Sequence, residues 1–286
     1  MQNETLKINP KYGPWAMIIG ASEGIGRSFA EQLAAARINL ILVARRQDAL
    51  DQAAAEIRAR HAIEVDVHVA DMAALGLEGQ LDRIIGGRDI GLLIYNAGAV
   101  HGANSFLDDP LDKALGLVKL NCISPLTLIH RLGRSMRARG GGGVILMSSL
   151  SALAGSPYVA TYAATKSFDL ILGEGLWGEM SADNIDVLCL IAGATMTPSM
   201  ERSGMRFSPP GTPPGPGTFI PMASGDVARE GLENLGRHPV WVAGEGNRQA
   251  AEGIRQAPRD AAIQGMGSAA AGLYGKPWPM VGQSSR

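Results

Sequence analysis

Several things are scarce in this sequence, and each scarcity removes a class of protein. Only two cysteines, Cys122 and Cys189, occur in 286 residues. They form no CxxC pair and no metal-ligand spacing, so they are expected as buried, reduced thiols of a cytoplasmic protein. The histidines His61, His68, His101, His130 and His238 are scattered without an HExxH, and no metal site is expected. The formal net charge is only −1. That leaves no electrostatic footprint for nucleic acid and no charged tail. No run of 18 apolar residues occurs, and the first residues are polar. Neither a membrane span nor a secretory leader is expected.

Hydrophobic residues, by contrast, make up 46% of the chain, enough for one large α/β domain or two small ones. Short apolar runs at 15–19, 40–44, 64–69, 90–95, 144–149 and 185–191 read as buried strands. Between them lie helical patterns over 25–36, 47–60, 73–85, 109–138 and 157–182. Such alternation predicts βαβ units with right-handed crossovers. The fold class is therefore α/β, a doubly wound, mostly parallel Rossmann-type sheet with helices on both faces. The Pro/Gly stretch 208–217 is either a domain linker or a loop. The helix over 224–236 and the strand over 239–243 that come after it are too short and polar for a second core. A single domain over 1–286 is expected, with an irregular Gly/Ala-rich tail from about 250.

Candidate chemistry begins after the first strand. Gly20-Ala21-Ser22-Glu23-Gly24-Ile25-Gly26 sits between a strand and a helix, where glycines let backbone approach a pyrophosphate. A plain tight turn is the alternative. At the end of the second strand, where a carboxylate would grip the ribose of NAD, stand Arg45 and Arg46. Both suit a 2′-phosphate, though two arginines also commonly begin a solvated helix. Glu23 argues the other way, being unwelcome beside a phosphate if it points inward. Asp71, followed by Met72, either accepts from an adenine amino group or caps the next helix. Asn96-Ala97-Gly98 offers small residues where backbone must pass close to a ligand. Further on, Ser149 closes an apolar run, and thirteen residues later Tyr162-x-x-x-Lys166 begins. On a helix this spacing puts phenol and ammonium on one face, and the ammonium favours the phenolate.

Taken together, Gly20-x-x-x-Gly24-x-Gly26, Asn96-Ala97-Gly98, Asn121, Ser149, Tyr162-x-x-x-Lys166 and Ala192-Gly193-x-x-x-Thr197 resemble the short-chain dehydrogenase/reductase family in order and spacing. The resemblance covers 15–200 and continues weakly to about 250. It implies a catalytic tetrad of Asn121, Ser149, Tyr162 and Lys166. In that family the Tyr exchanges a proton with the substrate oxygen and the Ser hydrogen-bonds it. The Lys holds the nicotinamide ribose, and the Asn positions a water linking the Lys to solvent. The missing carboxylate and the Arg45–Arg46 pair make NADP(H), rather than NAD(H), the expected cofactor. Its expected contacts are Gly20, Ser22, Glu23, Gly24, Ile25, Gly26, Arg45, Arg46, Asp71, Met72, Asn96, Ala97, Gly98, Tyr162, Lys166, Gly193, Thr195 and Thr197.

Two positions depart from the family pattern: Ala192 stands where proline is usual, and Tyr95 precedes Asn96. Tyr95 is expected in the core or at a sheet end. Tyr158, a rival acid without a lysine four residues on, is expected as pocket wall. Lys11-Tyr12-Gly13-Pro14-Trp15 and the Asn247-Arg248 region are similar to the branch containing bacterial hydroxysteroid dehydrogenases. The family's lid falls at about 195–225, where Met200, Met205 and Phe207 would make an apolar wall and Arg202 and Arg206 could meet a carboxylate. A helix packed on the core, or a plain loop, is the alternative. The expected substrate is a small, bulky, lipophilic ketone or secondary alcohol. The resemblance further implies a homodimer or homotetramer through the 109–138 and 157–182 helices. Two rivals remain: a nucleotide-sensing regulator on the same fold, and an enoyl reductase or epimerase.

Overall fold

The computed structural model describes residues 7–74, 77–98, 102–202, 205 and 220–278. The apolar runs form β1 (Trp15–Ile19), β2 (Asn39–Ala44), β3 (Val65–Val69), β4 (Ile90–Tyr95), β5 (Gly142–Ser149) and β6 (Ile185–Ala192). Two short strands, β7 (Thr195–Met196) and β8 (Met222–Ala223), pair only with each other, and β9 (Val240–Val242) closes the main sheet. The main sheet has seven strands in the order β3-β2-β1-β4-β5-β6-β9. Every pairing in it is parallel. The chain runs outward from β1 to β3 and then restarts on the other side at β4. A crevice therefore opens between the carboxyl ends of β1 and β4, the place where such sheets receive ligands.

Successive side chains of a strand point to opposite faces, and both faces here are apolar. Ala16, Ile18, Leu40, Leu42, Ile94 and Leu190 share one core with Phe29, Leu33, Leu50, Ile57 and Val227. These last come from α1 (Gly24–Ala35), α2 (Gln47–Arg60) and α8 (Ser224–Asn234). Met17, Ile19, Ile41, Leu93 and Leu146 share the other core with Leu81, Leu128, Leu132 and Met136. Those belong to α3 (Leu77–Ile85) and α5 (Ser124–Arg139). Leu172, Leu176 and Met180 of α6 (Ala160–Met180) pack against the same core.

Three departures from the sequence reading have physical causes. The helix expected over 109–138 starts after Pro110 as α4 (Leu111–Val118), passes through a π-helical turn at Lys119–Ile123, and continues as α5. Pro125 has no N–H to give the Asn121 carbonyl, and its ring crowds that oxygen, so the helix widens there. The helix expected from 157 starts at Ala160, because Tyr158 holds a left-handed φ of 65° just before it. The tail from 250 is not irregular. It forms α9 (Glu245–Gln256) and α10 (Arg259–Tyr274). Its buried positions are held by small residues, Ala251, Ala262, Gly267, Ala270 and Ala271, while its few large apolar ones, Ile254, Ile263 and Leu273 among them, are only half-buried. A pattern of large apolar residues is what marks a packed helix in sequence.

Candidate active site

The turn after β1 is built on close approach. Asn96 Nδ2 donates to Gly20 O at 3.0 Å, tying the turn to the end of β4. A β-carbon on Gly26 would lie 2.1 Å from Gly20 O and 2.6 Å from Asn96 Nδ2. No side chain fits there. Gly26→Ala is expected to force the turn open and destabilise the protein by about 1–3 kcal/mol, as overpacked sites do. The check is the urea midpoint, with cofactor binding measured alongside. Ser22, Glu23 and Ile25 are half-buried around this turn.

The segment after β6 lies directly on the glycine turn, since a β-carbon on Gly24 would meet Thr197 Cγ2 at 2.7 Å. Thr197 Oγ1 accepts from Met200 N at 3.2 Å and so caps α7 (Pro198–Arg202). Thr195 is buried and its hydroxyl donates to Gly193 O at 3.1 Å. Gly193 is crowded by Asn247 of α9, whose Oδ1 would be 2.2 Å from any β-carbon there. Met200 Sδ accepts from Thr195 N at 3.4 Å. Of the other residues expected in a lid, Met205 is described, while Arg206, Phe207 and the proline-rich stretch lie outside the described residues.

Glu23 does not point at a phosphate position unaccompanied. Its carboxylate pairs with Arg46 and, through two contacts at 2.5 and 3.1 Å, with Arg202 of α7. Burial works against the Glu23 carboxylate, but Arg202 and Arg46 outweigh it and hold the carboxyl below the usual range. Arg45 is exposed beside this cluster. Asp71 Oδ1 accepts from Ala73 N at 2.9 Å. It makes a turn and does not cap a helix, because the residues that follow it, 72–74, are not helical. Met72 is buried, and its carbonyl accepts from Ser124 Oγ.

Beyond the glycine turn, β5 and α6 bring the remaining candidates together. Ser148 Oγ donates to Lys166 O at 2.7 Å, seating α6 on the end of β5. Ser149 Oγ accepts from Ser151 N at 3.2 Å, which leaves its own proton to be donated elsewhere. Tyr162 and Lys166 lie one turn apart on α6. Lys166 Nζ donates to Met147 O at 2.8 Å and to Asp169 Oδ2 at 3.0 Å. Burial opposes the Lys166 charge, but Asp169 and Tyr162 more than offset it, so its pKa is raised. Asn121, delivered by the π turn, donates from Nδ2 to Thr165 Oγ1 at 2.9 Å. Asn121 Oδ1 is buried without a hydrogen-bond partner among the described residues. A β-carbon on Gly98 would sit 3.1 Å from Lys166 Nζ and 3.4 Å from Asn121 Oδ1. The glycine at the end of β4 is what lets these two groups reach the crevice.

Two neighbours were not anticipated from sequence. Asp169 comes three residues after Lys166 on the same helix, a spacing visible in the sequence but easily read as surface charge. Tyr274, at the end of α10, comes within electrostatic range of Tyr162, and burial together with that phenol pushes its own pKa up. Nothing in the sequence ties residue 274 to residue 162. The same C-terminal segment touches the loop before α6 repeatedly. Arg259 donates to Leu153 O at 2.9 Å, Ile263 lies against Gly155, and Tyr158 donates its hydroxyl to Pro277 O. Tyr158 thus joins a wall made partly by the tail. Tyr95 is buried, with its hydroxyl donated to Leu120 O at 2.5 Å, and lies in the core as expected. Among the described residues no group of His, Cys, Asp or Glu could hold a metal, and no helix is long and apolar enough to cross a membrane.

A doubly wound parallel sheet, with a glycine turn at its switch point and a serine, tyrosine and lysine gathered beside it, defines the class as a Rossmann-type α/β oxidoreductase. The chain belongs to the short chain dehydrogenase family, which it matches over residues 14–205. It is 31% identical to the 7beta-hydroxysteroid dehydrogenase of Collinsella aerofaciens over 244 residues, 85% of this chain and 90% of that one. A solved 7beta-hydroxysteroid dehydrogenase superposes with a TM-score of 0.82 at 29% identity, covering 91% of this chain and 99% of that one. A short-chain dehydrogenase from Sphingobium yanoikuyae, solved with NADPH, superposes with a TM-score of 0.72 at 26% identity. It covers 85% of this chain and 94% of that one. The expected likeness to the hydroxysteroid dehydrogenase branch is borne out.

Proposed function

We propose that this oxidoreductase uses NADP(H) to interconvert a secondary alcohol and a ketone on a bulky, lipophilic small molecule. One observation carries the reading: Lys166 Nζ and Asn121 Oδ1 converge on Gly98, at the switch-point crevice, one helical turn from Tyr162. The glycine turn suits a dinucleotide, because Gly26 leaves room where a side chain would block the backbone. Gly20, Gly24, Gly26, Asn96, Ala97, Gly98 and Thr197 would line its phosphate and nicotinamide ends, and Arg45 and Arg46 would take the 2′-phosphate. Bound there, the nicotinamide supplies the hydride.

The chain's own residues handle the proton. In ketone reduction Tyr162 donates its phenolic proton to the substrate oxygen, and in alcohol oxidation it takes that proton back. Ser149, whose Oγ accepts from Ser151 N, has its own hydrogen to donate to the same oxygen. Lys166 places a cation one helical turn from Tyr162 and has one N–H left after Met147 and Asp169, which suits a ribose hydroxyl. The lipophilic substrate class is supported by the hydroxysteroid dehydrogenase relatives. NADP(H) is supported by the arginine pair and by the NADPH complex of a similar protein. A regulator that had given up chemistry would not need all four of Asn121, Ser149, Tyr162 and Lys166. An enoyl reductase is disfavoured by the thirteen-residue step from Ser149 to Tyr162.

The test is a panel of hydroxysteroids, other lipophilic ketones and secondary alcohols, monitored by NADPH absorbance. Turnover with NADPH exceeding that with NADH is expected. No turnover across the panel, or a preference for NADH, would overturn the corresponding part of the reading.

We further propose a homo-oligomer, in keeping with the exposed apolar residues Leu115, Val118, Ile123 and Leu126 on α4, the π turn and α5. Phe168, Ile171 and Trp177 are exposed on α6. Contiguous exposed apolar surface of this kind marks interaction sites. Ile171→Arg is expected to yield monomers in sedimentation analysis where the parent sediments as a dimer or tetramer. An unchanged assembly would place the interface elsewhere.

A further inference from the structure

Outside the tetrad, one buried charge has no assigned role. Asp169 is 1% exposed and Lys166 is 4% exposed, and they pair at 3.0 Å within α6. Among the described residues Asp169 is the only carboxylate that is buried. A carboxylate is rarely buried unless it is paired and hydrogen-bonded. Here one oxygen is held by Lys166 alone, and the other, Oδ1, has no partner among the described residues. Packing therefore does not account for an acid at this position, and an apolar residue of similar size would avoid the desolvation cost.

We propose that Asp169 is a positioning residue for the reaction, keeping Lys166 charged and fixed one turn below Tyr162. This rests on the reading of Tyr162 as the proton-transfer group. Lys166 lies almost wholly out of water, and a fully buried lysine without a counter-charge tends to lose its proton at or below neutral pH. Its other acceptor, the Met147 carbonyl, is uncharged. Apart from Tyr162, the reacting group, the side chains facing the pair do not supply an anion. They are Cys122 in the π turn, Cys189 on β6 and Tyr95 on β4. Burial pushes the Cys122 thiol up to about 11, and Cys189 and Tyr95 higher still, with Asp169 adding to each. All three stay neutral at working pH. Glu174, the next acid along α6, is not buried. Asp169 thus supplies the negative charge that retains the ammonium. Two of the three lysine N–H groups are committed to Met147 and Asp169, which also sets the direction of the third.

Without the carboxylate, Lys166 becomes neutral at lower pH, and the site loses the cation one turn from the proton-transfer group. Alcohol oxidation, which needs the proton-accepting form, then switches on only at higher pH. The experiment compares the parent with Asp169→Asn, with Asp169→Ser should the amide not fold, and with Asp169→Glu. The chain has six lysines, so the Lys166 side chain can be observed by NMR in protein labelled at the lysine ε-carbon and assigned with Lys166→Arg. In the parent, Lys166 is expected to stay protonated from neutral to mildly alkaline pH. In Asp169→Asn or Asp169→Ser it is expected to titrate within that range. The oxidation profile should move up by about one pH unit or more, since each unit is a tenfold change in the protonated fraction. Asp169→Glu should restore the charged lysine. A Lys166 that stays protonated in the folded Asn or Ser variant would overturn the proposal. So would an oxidation profile that is unmoved or shifted down, the latter meaning that Asp169 merely weakens the ammonium's field. A parent without turnover would count against the proposed function, while the lysine titration would still decide the role of Asp169.

Discussion

Turnover by Tyr162→Phe is expected to fall by about 10²–10⁴-fold, the range that positioned acid–base groups supply. The substitution removes one oxygen and keeps the ring, so α6 and its packing should persist. Lys166 does not hydrogen-bond through the Tyr162 hydroxyl. It is held by Met147 and Asp169, so its position should survive too. NADPH affinity, measured by cofactor fluorescence, should therefore change little while kcat collapses. Full activity in the variant would remove Tyr162 from the proton-transfer role and make Tyr274, the phenol within its electrostatic range, the next candidate. A loss of NADPH binding alongside activity would instead mean that the phenol serves chiefly to hold the cofactor.

The second large effect concerns cofactor choice. Arg45→Ala combined with Arg46→Ala is expected to weaken NADPH by roughly ten- to a hundred-fold, the scale of one or two charge-assisted hydrogen bonds. NADH, which lacks the 2′-phosphate, should lose only a few-fold. The structure adds a partner to this account. Arg46 already carries the Glu23 carboxylate, which is shared with Arg202 of α7. A 2′-phosphate must share or displace that carboxylate, so Glu23→Gln should leave NADPH binding intact or tighten it. The Arg45 and Arg46 side chains are exposed, and added salt should therefore narrow the difference between the cofactors. Equal losses for NADPH and NADH in the double variant would remove the phosphate-clamp reading. The measurement is the ratio of kcat/KM for the two cofactors.

The features legible in the sequence are local ones. Alternation of short apolar runs with helical patterns reports the sheet because both faces of a parallel sheet are covered, and Ile18 and Ile19 point into different cores. The Tyr162-x-x-x-Lys166 spacing reports a shared helix face for the same kind of reason. Patterns failed where distant segments set the outcome. Asp71 looked equally fit to cap a helix or bind adenine, and it closes a turn without capping, because residues 72–74 are not helical. Glu23 looked like an objection to a phosphate clamp, and two arginines from other parts of the chain neutralise it.

The class of fold, the family and the order of the candidate residues were all present in the spacing of residues along the chain. Each depends on distances within a strand, a turn or a single helix, and backbone geometry converts such spacing into position directly. Which groups meet across elements was settled by packing in three dimensions. Pro125 opens the turn that carries Asn121 locally, but packing brought Asn121 to Thr165 of α6 and set Gly98 as the gap through which Asn121 and Lys166 reach the crevice. It also folded a Gly/Ala-rich tail into helices that carry Tyr274 to Tyr162, and sealed Asp169 against Lys166. Contacts between residues far apart in the chain depend on how whole elements pack, and a buried charge acquires its meaning only from the groups packed around it.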